Sequence, residues 1–246
     1  MKAFVTGMNG TVAPALAHAL VQLGYSVVPW NRSAHPIDNL EAVRDFIHSE
    51  KPDVFCHVAM GSPDWAEWAA RTCAKSKIPF LFTSSVSVYA AAQSGPFTIH
   101  DLPLPDDDYG RYKLECEHRV QNAPPAAHVV RIGWQIGSAP GGNQMVDYLD
   151  RTFREKGRID VSTLWFPACS FLPDTADTLT QILLTFLPGL YHLDGNPGLH
   201  FHEIATGLNQ LLGNSWKVFP ISGLVQNHRM LDPRVSVAPI THRFPA

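Results

Sequence analysis

The sequence predicts an α/β fold with a doubly wound parallel sheet and a small C-terminal lobe. Apolar runs of strand length alternate with amphipathic helical stretches over the first 137 residues, which indicates right-handed crossovers and a sheet covered on both faces. A glycine-rich loop separates the first strand from the first helix. The chain of 246 residues is 45% hydrophobic and 17% charged, which is typical of a compact protein with a large core.

Five strands and four helices are predicted in the first part of the chain. Short apolar runs predict strands over residues 2–7, 25–31, 52–60, 78–89 and 126–137. The helices between them span residues 12–24, 38–50, 64–76 and 107–122. Gly24 closes the first helix, and Asp38 with Glu41 three residues later predicts a capping box for the second.

The pattern loosens after Gly137. A turn-rich loop is predicted over residues 138–143, helices over 143–157 and within 166–187, and a short strand over 189–195. The tail is rich in Pro, Gly and His and shows weak periodicity. We expect a main domain of residues 1–137, completed by 163–193, and a lobe of residues 138–162 and 194–246 that covers the carboxyl edge of the sheet.

Composition narrows the class of protein. The net charge of −3 provides no basic field, so binding to nucleic acid or to an anionic membrane is not expected. The most apolar later run, residues 182–193, contains Pro188 and is too short to cross a bilayer. The opening residues carry one basic side chain and no long apolar core, so no signal peptide is predicted and a cytoplasmic location is expected.

Residues with metal-binding chemistry are scattered. Cys56, Cys73, Cys116 and Cys169 form no C-x-x-C pair, which indicates free buried thiols. Among the twelve histidines only His200 and His202 form a close pair, and on a strand they would share one face. No further ligands are evident around them, so no metal site is predicted.

The loop over residues 6–13 has the pattern G-x-x-G-x-x-A. Gly7 permits a sharp turn, Gly10 lets the backbone approach a pyrophosphate, and the small Ala13 lets helix and strand pack closely. The phosphates would rest on the free N–H groups at the start of the first helix. Because the loop lies between the first strand and the first helix of an alternating chain, it predicts a dinucleotide site.

The end of the second strand indicates which dinucleotide is bound. NAD sites usually place an acidic residue there for the ribose 2′-hydroxyl, whereas Asn31, Arg32 and Ser33 include no carboxylate. Arg32 can form a charge-assisted fork to a 2′-phosphate, and Ser33 can donate a hydrogen bond. NADP(H) is therefore the predicted cofactor, with an ordinary surface arginine as the alternative interpretation of Arg32.

Two side chains of the stretch YGRYK, Tyr109 and Lys113, lie four residues apart and share one face of the predicted helix. This spacing alone fits a solvent-facing pair as well as a proton donor with a cation beside it. The fourth strand adds a hydroxyl, because it ends in Ser84 and Ser85. A proton donor, a fixed positive charge and a second hydrogen-bond donor are what reduction of a carbonyl group requires.

These segments together resemble the extended short-chain dehydrogenase/reductases. The similarity is greatest to the dTDP-4-dehydrorhamnose reductase (RmlD-like) branch, through TGxxGxxA, KPDVFCHVA, FTSSVSVY, YGRYKLECE, RIGWQIG and GLYHLDG in this order. The resemblance covers nearly the whole chain. It implies a Rossmann fold and an NADPH-dependent reductase, and it implies a 4-keto-6-deoxy nucleotide sugar as the substrate.

The resemblance also implies a role for each residue of the site. Tyr109 would protonate the carbonyl oxygen, Lys113 would hold the nicotinamide ribose and lower the tyrosine pKa, and Ser85 would hydrogen-bond the substrate oxygen. The cofactor contacts expected are Gly7, Asn9, Gly10, Thr11, Val12, Asn31, Arg32, Ser33, Ala59, Ser84, Tyr109 and Lys113. The substrate contacts expected are Ser85, Asn143 of the Gly-Gly-Asn loop, His228 and Arg229, since an arginine suits a diphosphate.

Two departures from the family pattern leave alternatives open. Only residues 60–63 separate Ala59 from the third helix, so the segment that usually carries an Asn is shortened. The substrate motif near the C terminus keeps only Leu231 and Asp232. A non-catalytic NADP-binding regulatory subunit and an epimerase with tightly held NAD therefore stand beside the reductase. The expected partner is a small-molecule substrate, and a homodimer is compatible with the sequence.

Overall fold

The computed structural model describes residues 1–123, 127–138 and 141–245. The helices among them are α1 (Ala13–Gln22), α2 (Leu40–Glu50), α3 (Pro63–Lys75), α4 (Asp108–Gln121), α5 (Met145–Lys156), α6 (Leu172–Thr185) and α7 (Phe201–Leu211). The strands are β1 (Lys2–Val5), β2 (Ser26–Pro29), β3 (Val54–His57), β4 (Phe80–Ser85), β5 (Phe97–Thr98), β6 (His128–Ile132), β7 (Trp134–Ile136), β8 (Ile159–Ser162), β9 (Trp165–Phe166), β10 (Cys169–Phe171), β11 (Gly189–Leu193), β12 (Val218–Ile221), β13 (Gln226–Asn227) and β14 (Met230–Leu231).

The predicted α/β fold class is confirmed. Six strands form one parallel sheet in the order β2-β1-β3-β4-β6-β11, and each neighbouring pair runs in the same direction. The chain moves from β1 to one side for β2 and to the other side for β3. A doubly wound sheet binds its ligand at this reversal, outside the carboxyl ends of the strands.

Alternation along the strands builds two cores, one on each face of the sheet. Phe4, Phe55 and Phe82 pack against α2, α3 and α4 on one face. Val5 and Leu81, their neighbours along the strands, pack against α1 and α6 on the other face. Successive strand residues point to opposite faces, so the sheet is buried on both sides, as the nearly continuous apolar runs predict.

A separate apolar cluster belongs to the C-terminal part of the chain. Helices α5 and α7 pack with β7, β8 and β10 around Ile136, Leu149, Phe201 and Leu208. Small parallel pairs join β12 to β8, β13 to β9 and β14 to β5. The division into a main domain and a lobe at the boundaries given above stays a prediction.

The strand predicted over residues 126–137 is two strands, β6 and β7, and its first residue lies outside the described residues, as do residues 139 and 140 of the predicted loop. They part at Gly133, where a Cβ atom would collide with the backbone carbonyl of Ala168. After this contact β7 leaves the main sheet and pairs with β10.

Two further local predictions are wrong. Helix α7 was not predicted, and His200 begins it as the N-cap of a capping box with Glu203, so His200 and His202 do not share a strand. The cap of α2 is Asn39, whose side chain accepts from the N–H groups of Glu41 and Ala42, and not Asp38. Within the described ranges, no helix is both long and apolar enough to cross a membrane.

Candidate active site

A groove runs along the carboxyl edge of the sheet at the reversal between β1 and β3. Its inner end is a cavity of about 330 Å³, bounded by the loop after β1, the ends of β4 and β6, and α4. Its outer part is a cavity of about 730 Å³ that extends towards the end of β2. Gly7, Gly10, Val58 and Met60 line both, so the two cavities form one elongated site.

The glycine loop bounds this groove closely. Gly7 has φ +86°, a left-handed conformation, and a Cβ atom there would lie 3.0 Å from the Ala59 nitrogen. The Gly10 N–H donates to the Gly7 carbonyl at 2.7 Å, which closes the turn. Helix α1 then begins without a side-chain cap and with no acidic residue in its first turn. Its free N–H groups therefore suit an anion such as a pyrophosphate.

Thr6 ties the ends of β1 and β3 together beneath the loop. Its hydroxyl oxygen accepts from the N–H groups of Val58 and Ala59, each at 3.0 Å. The fully buried His57 lies beside it, with Nδ1 3.4 Å from the Thr6 hydroxyl, and burial lowers the pKa of His57 to about 3. A neutral imidazole there adds no charge beneath the groove.

The end of β2 places its polar residues in the outer part of the groove. Asn31, Arg32 and Ser33 all line it, and no acidic side chain does so among the described residues. The Asn31 carboxamide oxygen accepts from the Ser33 N–H at 3.0 Å and shapes the turn. The Arg32 guanidinium donates to the Met60 carbonyl and lies 5.0 Å from the centre of the Trp65 ring. The outer part of the groove thus presents a cation and no carboxylate among the described residues.

Helix α4 carries Tyr109 and Lys113 into the inner cavity. Its N-cap is Asp107, whose carboxylate accepts from the Gly110 N–H at 2.5 Å. Gly110 has a clear reason to lie between the two predicted catalytic residues, because a Cβ atom there would collide with the Ser87 carbonyl. The glycine allows α4 to approach the segment after β4 closely enough for Tyr109 and Ser85 to meet.

Lys113 is 3% exposed and is held against β4. Its ammonium donates to the Thr83 carbonyl at 2.8 Å and lies 5.0 Å from the centre of the Phe82 ring. Burial lowers the pKa of Lys113 to about 8, while Cys116 and Glu117 act in the opposite direction. The ammonium is therefore held in one position, and its pKa lies close to neutral pH.

Tyr109 and Ser85 form the polar wall opposite the glycine loop. Tyr109 is 41% exposed as a residue, yet desolvation is the largest influence on its hydroxyl and raises its pKa, with Asp107 adding to the rise. A hydrogen bond with the Ser85 side chain lowers it. The pKa of Tyr109 is raised overall, opposite to the predicted lowering, because desolvation prevails even though the Lys113 ammonium lies 5.8 Å from the ring centre.

The inner cavity also contains an unpaired hydroxyl. Ser84 is 1% exposed and lines the cavity, and its Oγ has no hydrogen-bond partner among the described residues. Buried polar groups are usually paired, so this one suits a ligand. Together with the uncapped helix, the glycine turn and Arg32, it makes the groove fit a phosphorylated dinucleotide.

The predicted substrate contacts separate into two groups. Ser85 and Asn143 line the inner cavity, and the Asn143 carbonyl accepts from the Thr11 hydroxyl at 3.4 Å. His228 and Arg229 are not in the described walls of the groove. The Arg229 carbonyl accepts from the Phe97 N–H at 2.7 Å, and its guanidinium lies beside Gly198. This position does not support the predicted contact between Arg229 and the diphosphate of a substrate bound beside Tyr109.

Several residues that line the inner cavity were not predicted. Met60, Ser87, Trp134 and Gln135 line it. Each follows the end of a strand of the main sheet within three residues. Because doubly wound sheets bind ligands outside the carboxyl ends of their strands, this position could have identified them. Elsewhere, the described ranges contain no group of three or more His, Cys, Asp or Glu residues able to hold a metal ion.

Comparison with known proteins identifies the family of this chain. The model of the family described as RmlD substrate binding domain matches residues 1–238. A dTDP-4-dehydrorhamnose reductase of Burkholderia thailandensis is 27% identical, over all of this chain and 89% of that protein. A probable low-salt glycan biosynthesis reductase of Haloferax volcanii, Agl14, is 26% identical, over 87% of this chain and 81% of that protein.

Solved structures share the fold over nearly the full length. The dTDP-4-dehydrorhamnose reductase of Bacillus anthracis, solved in complex with NADP, superposes with a TM-score of 0.82 at 18% identity, over 98% of this chain and 96% of that one. The UDP-glucose 4-epimerase of Thermotoga maritima, solved with UDP-glucose, gives a TM-score of 0.74 at 15% identity, over 95% and 91%. At these identities the likeness concerns the fold alone.

Proposed function

The chain belongs to the RmlD substrate-binding domain family, a branch of the extended short-chain dehydrogenase/reductases, and we propose that it is an NADPH-dependent reductase of a carbonyl group. The proposed substrate is a 4-keto-6-deoxy nucleotide sugar, in line with the names of the related reductases. The observation that carries the proposal is the meeting of Ser85, Tyr109 and Lys113 on one wall of a groove whose opposite wall is the glycine loop.

The groove offers a partner for each part of NADPH. The glycine loop and the start of α1 would hold the pyrophosphate, and Arg32 with Ser33 would hold the 2′-phosphate. Ser84 and Lys113 would hold the nicotinamide end, where the unpaired hydroxyl and the buried ammonium lie. When bound there, NADPH supplies the hydride.

The protein's own contribution to reduction is to place and deliver a proton. A raised pKa keeps the Tyr109 hydroxyl protonated at neutral pH, so it is ready to donate to the substrate oxygen. The Ser85 hydroxyl, which shares a hydrogen bond with it, would be the second donor to the same oxygen. Lys113 supplies a positive charge a few ångströms away, which would stabilise the tyrosinate left after the proton has moved.

The alternatives are less well supported. A non-catalytic regulatory subunit would not need Ser85, Tyr109 and Lys113 to converge on one cavity. An epimerase that uses NAD would be expected to place a carboxylate near the ribose, where this groove presents Arg32.

Tyr109→Phe tests the proposal. A panel of carbonyl compounds that includes 4-keto-6-deoxy nucleotide sugars would first identify an accepted substrate, with the fall in NADPH absorbance as the signal. We expect Tyr109→Phe to lower turnover by at least about 100-fold, the scale of a lost general acid, and to change NADPH affinity by less than about threefold. Wild-type turnover in the variant would contradict the mechanism, and the absence of NADPH binding to the wild type would contradict the function.

A further inference from the structure

We propose that Glu117 is a positioning residue for this reaction: paired with Arg131 beneath α4, it holds Tyr109 and Lys113 against the inner cavity and places a carboxylate one helical turn from the Lys113 amine. The inference rests on the proposed function, since it concerns how the predicted catalytic residues are held. Glu117 itself does not line the groove in the described part of the chain.

The register of α4 places Glu117 beneath the site. Tyr109, Lys113 and Glu117 are spaced by four residues and therefore follow one face of the helix. The Glu117 carboxylate accepts two hydrogen bonds from Arg131, at 2.9 Å from Nε and 2.7 Å from Nη2. The two side chains are 2% and 3% exposed, so this bidentate pair is buried. A fork of this kind fixes orientation as well as distance.

The pair anchors the helix to the strands that form the cavity floor. Arg131 lies on β6, directly before Ile132 and Gly133, which line the cavity. Its Nη1 donates to the Tyr89 hydroxyl at 2.7 Å, and that hydroxyl donates to the Thr98 carbonyl at 3.1 Å. A rotation of α4 about its axis would break this network, so the network fixes the direction in which Tyr109 and Lys113 point.

Stability by itself does not account for an ion pair at this place. Two charges lose their hydration when they are buried, and a well-packed apolar pair of similar size is often as stable or more stable. The charge of Glu117 has a second consequence, because it lies one helical turn from the buried ammonium of Lys113. Among the described residues, the titratable groups that act on or face this ammonium are His57 on β3 and Tyr109, Tyr112, Cys116 and Glu117 on α4, and the charged Arg131 on β6 pairs with Glu117. The one carboxylate in this set is Glu117.

The direction of the electrostatic effect follows from these contacts. Burial lowers the pKa of Lys113 to about 8, and Glu117 acts against that fall. If Glu117 loses its charge, the Lys113 pKa falls further, and the amine becomes neutral at a lower pH. Because Lys113 would hold the nicotinamide ribose, NADPH binding should then weaken at a lower pH than in the wild type.

The experiment is a titration of NADPH binding by fluorescence at a series of pH values from about 6 to about 9.5. The proteins compared are the wild type, Glu117→Gln and the control Glu115→Gln. Glu115 lies on the same helix, but its side chain is 52% exposed and pairs with Arg119 at the surface. We expect equal affinities within about twofold near pH 6. Above pH 8, Glu117→Gln should bind about tenfold more weakly than the wild type for each unit by which the Lys113 pKa falls, and Glu115→Gln should follow the wild type.

A second variant keeps the inference testable if Glu117→Gln does not fold. The double variant Glu117→Leu with Arg131→Met replaces the pair by apolar side chains, and circular dichroism would show that it is folded. A displacement of the pH dependence in the same direction is expected in it, but a smaller one, because the positive charge of Arg131 is removed together with the negative charge of Glu117. A folded variant with the wild-type pH dependence would overturn the inference and leave the proposed function intact. A wild type that binds no NADPH at any pH would overturn both.

Discussion

Replacing Lys113 with methionine should make the protein more stable while it destroys the proposed catalytic site. The ammonium is 3% exposed, and its hydrogen bond to the Thr83 carbonyl together with nearby aromatic rings does not restore the hydration that it has lost. Burial accordingly lowers its pKa from 10.5 to about 8. At about 1.36 kcal/mol for each pH unit, the charged form costs the folded state about 3 kcal/mol.

The pH dependence of this cost has a defined sign. Below pH 8 the lysine is charged in both the folded and the unfolded chain, and the whole cost is present. As the pH rises from 8 to 10.5, the folded form gives up its proton first, so the cost disappears and the wild type gains stability. The advantage of Lys113→Met should therefore be greatest at pH 7 and should vanish near pH 10.5.

Urea unfolding in the absence of cofactor, at pH 7 and at pH 10, would measure this advantage. We expect an increase of about 2–3 kcal/mol in the free energy of unfolding at pH 7. For a chain of this size that corresponds to about 4–12 °C in the melting temperature. Lys75→Met, at an exposed lysine near the end of α3, is the control and should change little. A destabilised Lys113→Met, or an advantage that does not depend on pH, would refute the reasoning.

Two further predictions concern cofactor choice and the break between β6 and β7. Arg32→Ala should weaken NADPH binding at least tenfold, roughly 1.4 kcal/mol, and leave NADH binding nearly unchanged, because the guanidinium would contact only the 2′-phosphate; equal losses for both cofactors, measured by fluorescence titration, would argue against that contact. Gly133→Ala should lower the free energy of unfolding by about 3 kcal/mol, because its Cβ would collide with the rigid backbone at Ala168. In the control Gly189→Ala the nearest atom is 3.8 Å away, and a similar loss there would show that the collision is not the cause.

Local chemistry made much of this protein predictable. The main strands follow from apolar runs. The glycine turn follows because only glycine accepts both the left-handed backbone at Gly7 and the close approach of the Ala59 backbone. The pairing of Tyr109 with Lys113 follows from helical spacing. Helix α7 was predictable as well, since His200 and Glu203 form a capping box and Phe201, Ile204, Ala205 and Leu208 recur at helical intervals. Nearby Pro, Gly and His residues obscured that signal.

Other features depend on residues far apart in the sequence. Nothing near Gly133 shows that Ala168 will press against it, so one predicted strand becomes two. Arg229 looks like a phosphate ligand by its chemistry, but the pairing of β14 with β5 places it beside Gly198. Desolvation reverses the expected direction of the Tyr109 pKa, because burial depends on which elements surround the hydroxyl.

Periodicity, backbone freedom and helical spacing act over a few residues, so the parallel sheet, the glycine turn and the pairing of Tyr109 with Lys113 could be predicted from the sequence, and the family followed from the resemblance of its motifs. Tertiary structure alone decided which charges are buried and what they face. The sequence does not show that Glu117 and Arg131 meet, yet packing of α4 on β6 buries both beneath the site. The energy of a charge depends on its hydration and on its neighbours in space, and neither is fixed until the chain has folded.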